Sequence, residues 1–124
     1  MDTNEKIKAE KRYIKKYRKT YENLPEGCRE KAAELIKRAA EFSVQMDECK
    51  EHLTEEGLVV EMRQGNYSIE RENPWSKIQE RALKSLVTCL NKLDGMYPDE
   101  KTTQASKAGE VLAAFVAKGK PETR

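Results

Sequence analysis

Residue types able to carry out bond-making chemistry are few in this chain of 124 residues. Its single histidine, His52, lies among Glu48, Glu51, Glu55 and Glu56. A metal centre or an acid–base pair would need convergent partners, and no Cys/His spacing supplies them. The expectation is a surface histidine near a helix C-terminus, where a proton is mildly favoured. The carboxylates fall four residues from bases, as Glu34 with Arg38 and Glu80 with Lys84, which is the spacing of solvated helix ion pairs. None stands in apolar surroundings, as a tuned catalytic carboxyl would. Glycine-rich phosphate loops, Walker-type lysines and Gly-x-Ser-x-Gly elbows are not found. These residues therefore predict no enzyme, no cofactor and no metal.

The cysteines, Cys28, Cys49 and Cys89, are odd in number and sit at apolar helical positions. The N-terminus carries no apolar run, so reduced, buried thiols in a cytoplasm are expected. No stretch reads as a membrane span.

Cations offer the one chemical handle. Residues 1–21 hold eight Lys and Arg against three acids, whereas residues 22–57 hold five against ten. The net charge of +2 conceals this segregation. A basic arm on an acidic body suits an anionic polymer or the acidic face of a neighbour. Lys8, Lys11, Arg12, Lys15, Lys16 and Lys19 are the candidate contacts to double-stranded DNA, through phosphates and without reading bases. Tyr13, Tyr17 and Tyr21 are interleaved with them. The competing reading is an ordinary basic solvent face with the tyrosines as half-buried packing. No tight helix-turn-helix is evident.

The elements that must position these groups are mainly α. Residues 4–21 read as a basic helix with Ile7, Ile14 and Tyr21 seven apart and Tyr17 and Leu24 between, and Leu24-Pro25-Glu26-Gly27 breaks it. A second helix over about 26–56 carries Cys28, Ala32, Leu35, Ala39, Phe42, Met46, Cys49 and Leu53 in an alternating 4, 3 spacing. That is a heptad seam. Ala33, Ile36 and Ala40 widen the stripe, so this helix should pack on more than one neighbour. The two helices form a helical hairpin. A third helix over about 74–94 begins at Asn73-Pro74, a cap followed by a residue that needs no N–H. Trp75, Ile78, Ala82, Leu86, Cys89, Leu90 and Leu93 line one of its faces, with Trp75 expected to anchor it on the hairpin and Gly95 to end it. A weaker helix is expected at 104–118, followed by a frayed tail. With 37% charged residues and a mean hydropathy of −0.91, a lone chain would have a thin core. Oligomerisation is expected, with Leu35, Phe42, Met46, Val60 and Tyr67 at the interface.

Between the second and third helices, Leu58, Val60 and Met62 alternate with Val59, Glu61 and Arg63; Gln64-Gly65-Asn66 turns, and Tyr67 and Ile69 resume. This predicts a two-stranded β-ribbon, which is marginal alone and must lean on the helices or on another copy. The order Glu55-Glu56-Gly57-Leu58-Val59-Val60, a Gly/Asn turn, Asn73-Pro74, Lys77-Ile78-Gln79 and Ala82-Leu83-Lys84-Ser85-Leu86 resembles the small terminase subunits of tailed phages of the P27 type. The resemblance spans roughly residues 50–98. It departs after Leu93, where Gly95-Met96-Tyr97-Pro98-Asp99-Glu100 stands in place of a Thr/Ser-Pro and an Arg-rich segment. It implies a non-catalytic DNA-packaging component that recognises viral DNA, forms a ring-like homo-oligomer, and recruits and regulates the ATP-driven large terminase subunit. The assignment of DNA to the basic arm comes from charge alone. The alternative is a coiled-coil interaction or adaptor protein with no nucleic-acid role. The expected organisation is a basic helix at 1–24, a helical and ribbon oligomerisation core at 25–98, and a weak helix and tail at 99–124.

Overall fold

A computed structural model of the chain describes residues 1–65, 67–97 and 107–119, except for the side chains of 62–64, 67–69, 107 and 117–119. The fold is mainly α. Helix α1 (Thr3–Thr20) is followed by a 3₁₀ turn (Glu26–Cys28), α2 (Arg29–Glu56), β1 (Val59–Gln64), β2 (Tyr67–Glu72), α3 (Pro74–Asp94) and α4 (Lys107–Gly119).

Each helix begins for a local reason. Asp2 and Glu5 form a reciprocal capping box, in which the Glu5 N–H donates to Asp2 Oδ1 at 2.8 Å and the Asp2 N–H donates to Glu5 Oε1 at 3.0 Å. Two otherwise orphaned donors are thereby satisfied. The expected start of α2 at residue 26 is corrected to a 3₁₀ turn, with the α-helix proper beginning at Arg29. Pro25 forces extended backbone before it (φ −57°, ψ 146°), so the chain tightens into i→i+3 bonding first. Gly57 stops α2 at φ 86° and ψ 169°, a conformation open to glycine and strained for other residues. Gly95 is a different case. It lies in the ordinary right-handed helical region (φ −70°, ψ −10°), and α3 ends by tightening, with Met96 N–H donating to Leu93 O at 3.1 Å. Gly95 does end α3 as expected, with i→i+3 bonds taking up the last carbonyls.

Helix α2 is the spine. It packs on α1 along one side and most extensively on α3 along another, and α4 closes over α3. The first interface is built from Ala9, Tyr13 and Tyr17, which are buried at i, i+4, i+8 of α1. The expected role of Ile7 in that face is corrected: Ile7 is 46% exposed and Ile14 half-buried, because the tyrosine stripe turns α1 away from them. The second interface meets the heptad seam of α2 with Leu86, Leu90 and Leu93, all fully buried. Ala108 and Val111 of α4 join the same core, which runs through all four helices. The single chain thus has a continuous core, although it was expected to be thin.

The ribbon is a two-stranded antiparallel sheet pairing Val59 with Glu72 through Gln64 with Tyr67. Gly65 turns it at φ 62°. Its base is clasped by Asn73, which is fully buried. The Asn73 side-chain oxygen accepts from Trp75 N–H at 3.0 Å, capping α3. Its amide donates to Glu56 Oε1 at 3.0 Å and Gly57 O at 2.9 Å, and its own N–H donates to Leu58 O at 2.8 Å. One side chain therefore ties the end of α2 to the start of α3.

Replacing Asn73 with Ala removes a helix cap, worth about 1 kcal/mol, and leaves part-buried partners unpaired, at up to about 1–3 kcal/mol. A urea-denaturation midpoint equivalent to a loss of about 2–4 kcal/mol is expected. A loss below 0.5 kcal/mol, roughly what an ordinary surface substitution costs, would contradict the clasp.

Candidate functional site

The buried stripe of α1 dictates where its charges go. At 3.6 residues per turn, Lys8, Lys11, Arg12, Lys15, Lys16 and Lys19 fall within an arc of about 140° on the side opposite Tyr13 and Tyr17. All six are exposed. Along the axis they span about 16 Å. None of the six is held in an ion pair among the described residues. The charges of this segment that do reach α2 are Lys6, 2.9 Å from Glu48, and the N-terminal amine, 3.0 Å from Glu51. The outer cations are thus left facing solvent.

The tyrosines are committed elsewhere. Tyr13 OH donates to Asp47 at 2.6 Å, and Tyr17 and Ser43 share a buried hydroxyl–hydroxyl bond. Tyr13 stacks on Phe115 of α4 at 5.9 Å and Tyr21 lies 6.3 Å from Tyr97. Burial, then Asp47, pushes the Tyr13 phenol well above its usual range; burial, then Asp94, does the same for Tyr21. With Tyr13, Tyr17 and Tyr21 at most 8% exposed, base stacking by these rings is closed off. The surface is one of cations, suited to phosphates.

The expected interface residues separate into two places. Leu35 and Phe42 line an open groove of about 710 Å³ between α2 and α3, whose floor also includes Cys89 and Met96 and whose rim carries Lys31, Arg38 and Lys92. Met46 is half-buried beside them on α2. Ala32, Ala39 and Cys49 of the same seam are buried inside the chain. The seam therefore serves α3 first and leaves its larger side chains partly open. In the ribbon, Val60 is half-buried opposite Arg71, and Tyr67 pairs through its backbone with Gln64, its side chain lying outside the described residues.

His52 is more engaged than a plain surface histidine. Its ring stacks on Trp75 at 3.9 Å and 3°, and its Nδ1 lies 3.0 Å from Glu56 Oε2. Trp75 does anchor α3 on the hairpin, but half-buried and through His52. No cluster of three metal-ligating side chains exists among the described residues. The thiol of Cys49 is pushed up to about 11 by burial and then by Glu48, and burial raises Cys89 as well, so both are held as unreactive packing groups. Sequence reasoning missed one cationic group. Arg71, Lys77 and Arg81 line a pocket of about 430 Å³ with Glu72, Pro74 and Ile78, where β2 meets α3. The i,i+4 spacing of Lys77 and Arg81 could have signalled it; the approach of Arg71 depends on the ribbon's exit angle. Among the described residues no helix is long and apolar enough to cross a membrane.

A protein-family model described as phage terminase, small subunit, matches residues 15–110. That range takes in the last third of α1, all of α2 and α3, the ribbon and the beginning of α4. The match identifies the small-subunit family without specifying the P27 type. Comparison with curated proteins and with solved structures gives no significant match.

The Glu56 carboxylate, which accepts from both His52 and Asn73, is held below its usual range by those two bonds in that order. A group with a depressed folded pKa contributes stability above its unfolded value and loses it as pH falls through the folded one. The contribution of Glu56 is therefore present above about pH 4.5 and lost below it. Glu56→Gln keeps an acceptor for Asn73 but cannot titrate. Its melting temperature should fall less than that of the unaltered protein between about pH 5 and pH 3. Parallel decline of the two would show that Glu56 is not linked to folding.

Proposed function

The chain belongs to the phage terminase small-subunit family, and we propose that within DNA packaging it grips duplex DNA through the outer face of α1, assembles with copies of itself, and recruits and regulates the large ATP-driven subunit. The family role is that of a packaging component. The observation that carries the DNA assignment is the arc of Lys8, Lys11, Arg12, Lys15, Lys16 and Lys19, exposed and outside any intramolecular ion pair among the described residues. Duplex DNA presents one charge per about 1.7 Å of axis, so a stripe about 16 Å long meets several phosphates. Contacts of this kind set affinity and register and carry no sequence information. The family match begins at residue 15, so support for the first two thirds of α1, with Lys8, Lys11 and Arg12, comes from charge and geometry.

The role is non-catalytic in this reading. Self-association draws on Leu35, Phe42 and Met46 at the groove and on Val60 and Tyr67 in the ribbon. A ring-like assembly would repeat the α1 stripe once per subunit and multiply weak phosphate contacts. The site of action is the cytoplasm of the bacterial host.

Changing Lys11, Arg12, Lys15 and Lys16 to Glu should weaken binding to duplex DNA while leaving the assembly's mass unchanged. Because each lost phosphate contact removes about 0.9 from the slope of log K against log salt, the slope should fall by up to about 3–4 for each bound subunit. Gel-shift titrations at two salt concentrations, with native mass measurement beside them, read both quantities. Equal affinity of the two proteins would remove α1 from DNA binding and favour a pure interaction role.

A further inference from the structure

Among the described residues, the ribbon carries a face that its own chain leaves unmatched. In the observed register Val59 lies opposite Glu72 and Glu61 opposite Glu70, so these four side chains share one face, which positions 63 and 68 continue toward the turn. All four are exposed, Val59 at 56%. Leu58, at the foot of the ribbon, is 67% exposed. Like charges directly opposed across two strands, as Glu61 and Glu70 are, destabilise the pair. Among the described residues no cation lies within ion-pair distance of these three carboxylates. Among the described residues the ribbon packs extensively on no helix, so beyond the Asn73 clasp it has little of the support a two-stranded sheet needs.

The groove between α2 and α3 is its complement. Leu35, Phe42 and Met96 form an apolar floor, and Lys31, Arg38 and Lys92 stand on the rim. The one carboxylate on that rim, Glu34, is held by Arg38 at 3.7 Å. An occupant that combines small apolar side chains with several carboxylates fits both parts.

We propose that the acidic face and foot of one copy's ribbon dock in the α2–α3 groove of the next copy. The proposal rests on the self-association reading above and specifies its geometry. A chain cannot fill its own groove this way, because Arg38 and Gly57 are separated by 19 positions of continuous helix, about 28 Å. Donor and acceptor surfaces lie at opposite ends of the α2–α3 pair. The contact is therefore head-to-tail, the type that generates a closed ring when its rotation closes. Docking would neutralise the Glu61–Glu70 opposition, cover Leu58 and Val59, and supply the ribbon with the packing it lacks.

Charge reversal tests this on surfaces that the fold does not need. One variant carries Glu61→Lys, Glu70→Lys and Glu72→Lys; the other carries Lys31→Glu, Arg38→Glu and Lys92→Glu. Circular dichroism should show both folded. Native mass spectrometry and sedimentation at tens of micromolar should show each variant alone losing assembly, with at least about a tenfold weaker subunit affinity. A one-to-one mixture should reassemble, since intact ribbon then meets intact groove and reversed ribbon meets reversed groove. If the unaltered protein is a monomer, the self-association reading and this proposal both fall. If the unaltered protein and both variants remain oligomeric, self-association stands and the docking proposal is overturned. Failure of the mixture to reassemble overturns it too. Rescue of the ribbon variant by reversing Lys11, Arg12, Lys15 and Lys16 instead would place the acidic face on α1 and equally overturn the groove.

Discussion

The fold depends on the buried amide of Asn73. A fully buried polar side chain is tolerated when its hydrogen-bonding groups are satisfied, and here the oxygen caps α3 while the nitrogen holds Glu56 and the Gly57 carbonyl. The junction therefore joins a helix end, a helix start and both strands of the ribbon at one point. Gly57 makes the approach feasible through its positive φ, and His52 stacked on Trp75 covers one side. With this junction in place, α2 and α3 lie antiparallel and the ribbon projects beyond them. Every surface discussed above is defined relative to that arrangement.

The second constraint is the division of α2 between two partners. Ser43 and Asp47 face the tyrosines of α1, whereas the seam faces the leucines of α3. Small residues at Ala32, Ala39 and Ala40 let the helices approach, and the larger Leu35 and Phe42 are pushed to the edge, where the groove opens. The same division orients α1. Its tyrosines take the inner side, so its lysines and arginines have only the outer side available. A cationic stripe on one side of the molecule and an acidic ribbon at one end follow from packing, not from any separate device. In the proposed reading, phosphate binding and subunit contact would draw on different surfaces, which would permit an assembly to hold DNA without breaking its own interfaces.

Much of this was legible in the residues. The 4, 3 spacing of α2, the alternation from Leu58 to Ile69, the Gly65 turn and the Asn73-Pro74 start each encode a local conformation through side-chain period or backbone preference. Local conformation needs only neighbours in the chain, so the helices, the ribbon and their order could be read directly, and the order of these signals also carried the resemblance to small terminase subunits. The charge segregation, and hence a cationic first helix, was equally a property of the sequence.

What the tertiary structure alone decided was which of several apolar options each helix uses. Ile7 and Ile14 offered α1 one face and Ala9, Tyr13 and Tyr17 another; hydroxyl partners on α2, at Ser43 and Asp47, selected the second. The seam of α2 reads as a self-association stripe until part of it, Ala32, Ala39 and Cys49, is seen to be buried within the chain, since a heptad pattern specifies that a face is covered and not by what. The opposition of Glu61 and Glu70 needs the strand register, and the cationic rim needs Lys31 and Lys92, sixty-one positions apart, to meet across a groove. Period and propensity are short-ranged, whereas the choice among faces is settled by distant residues competing for the same buried area.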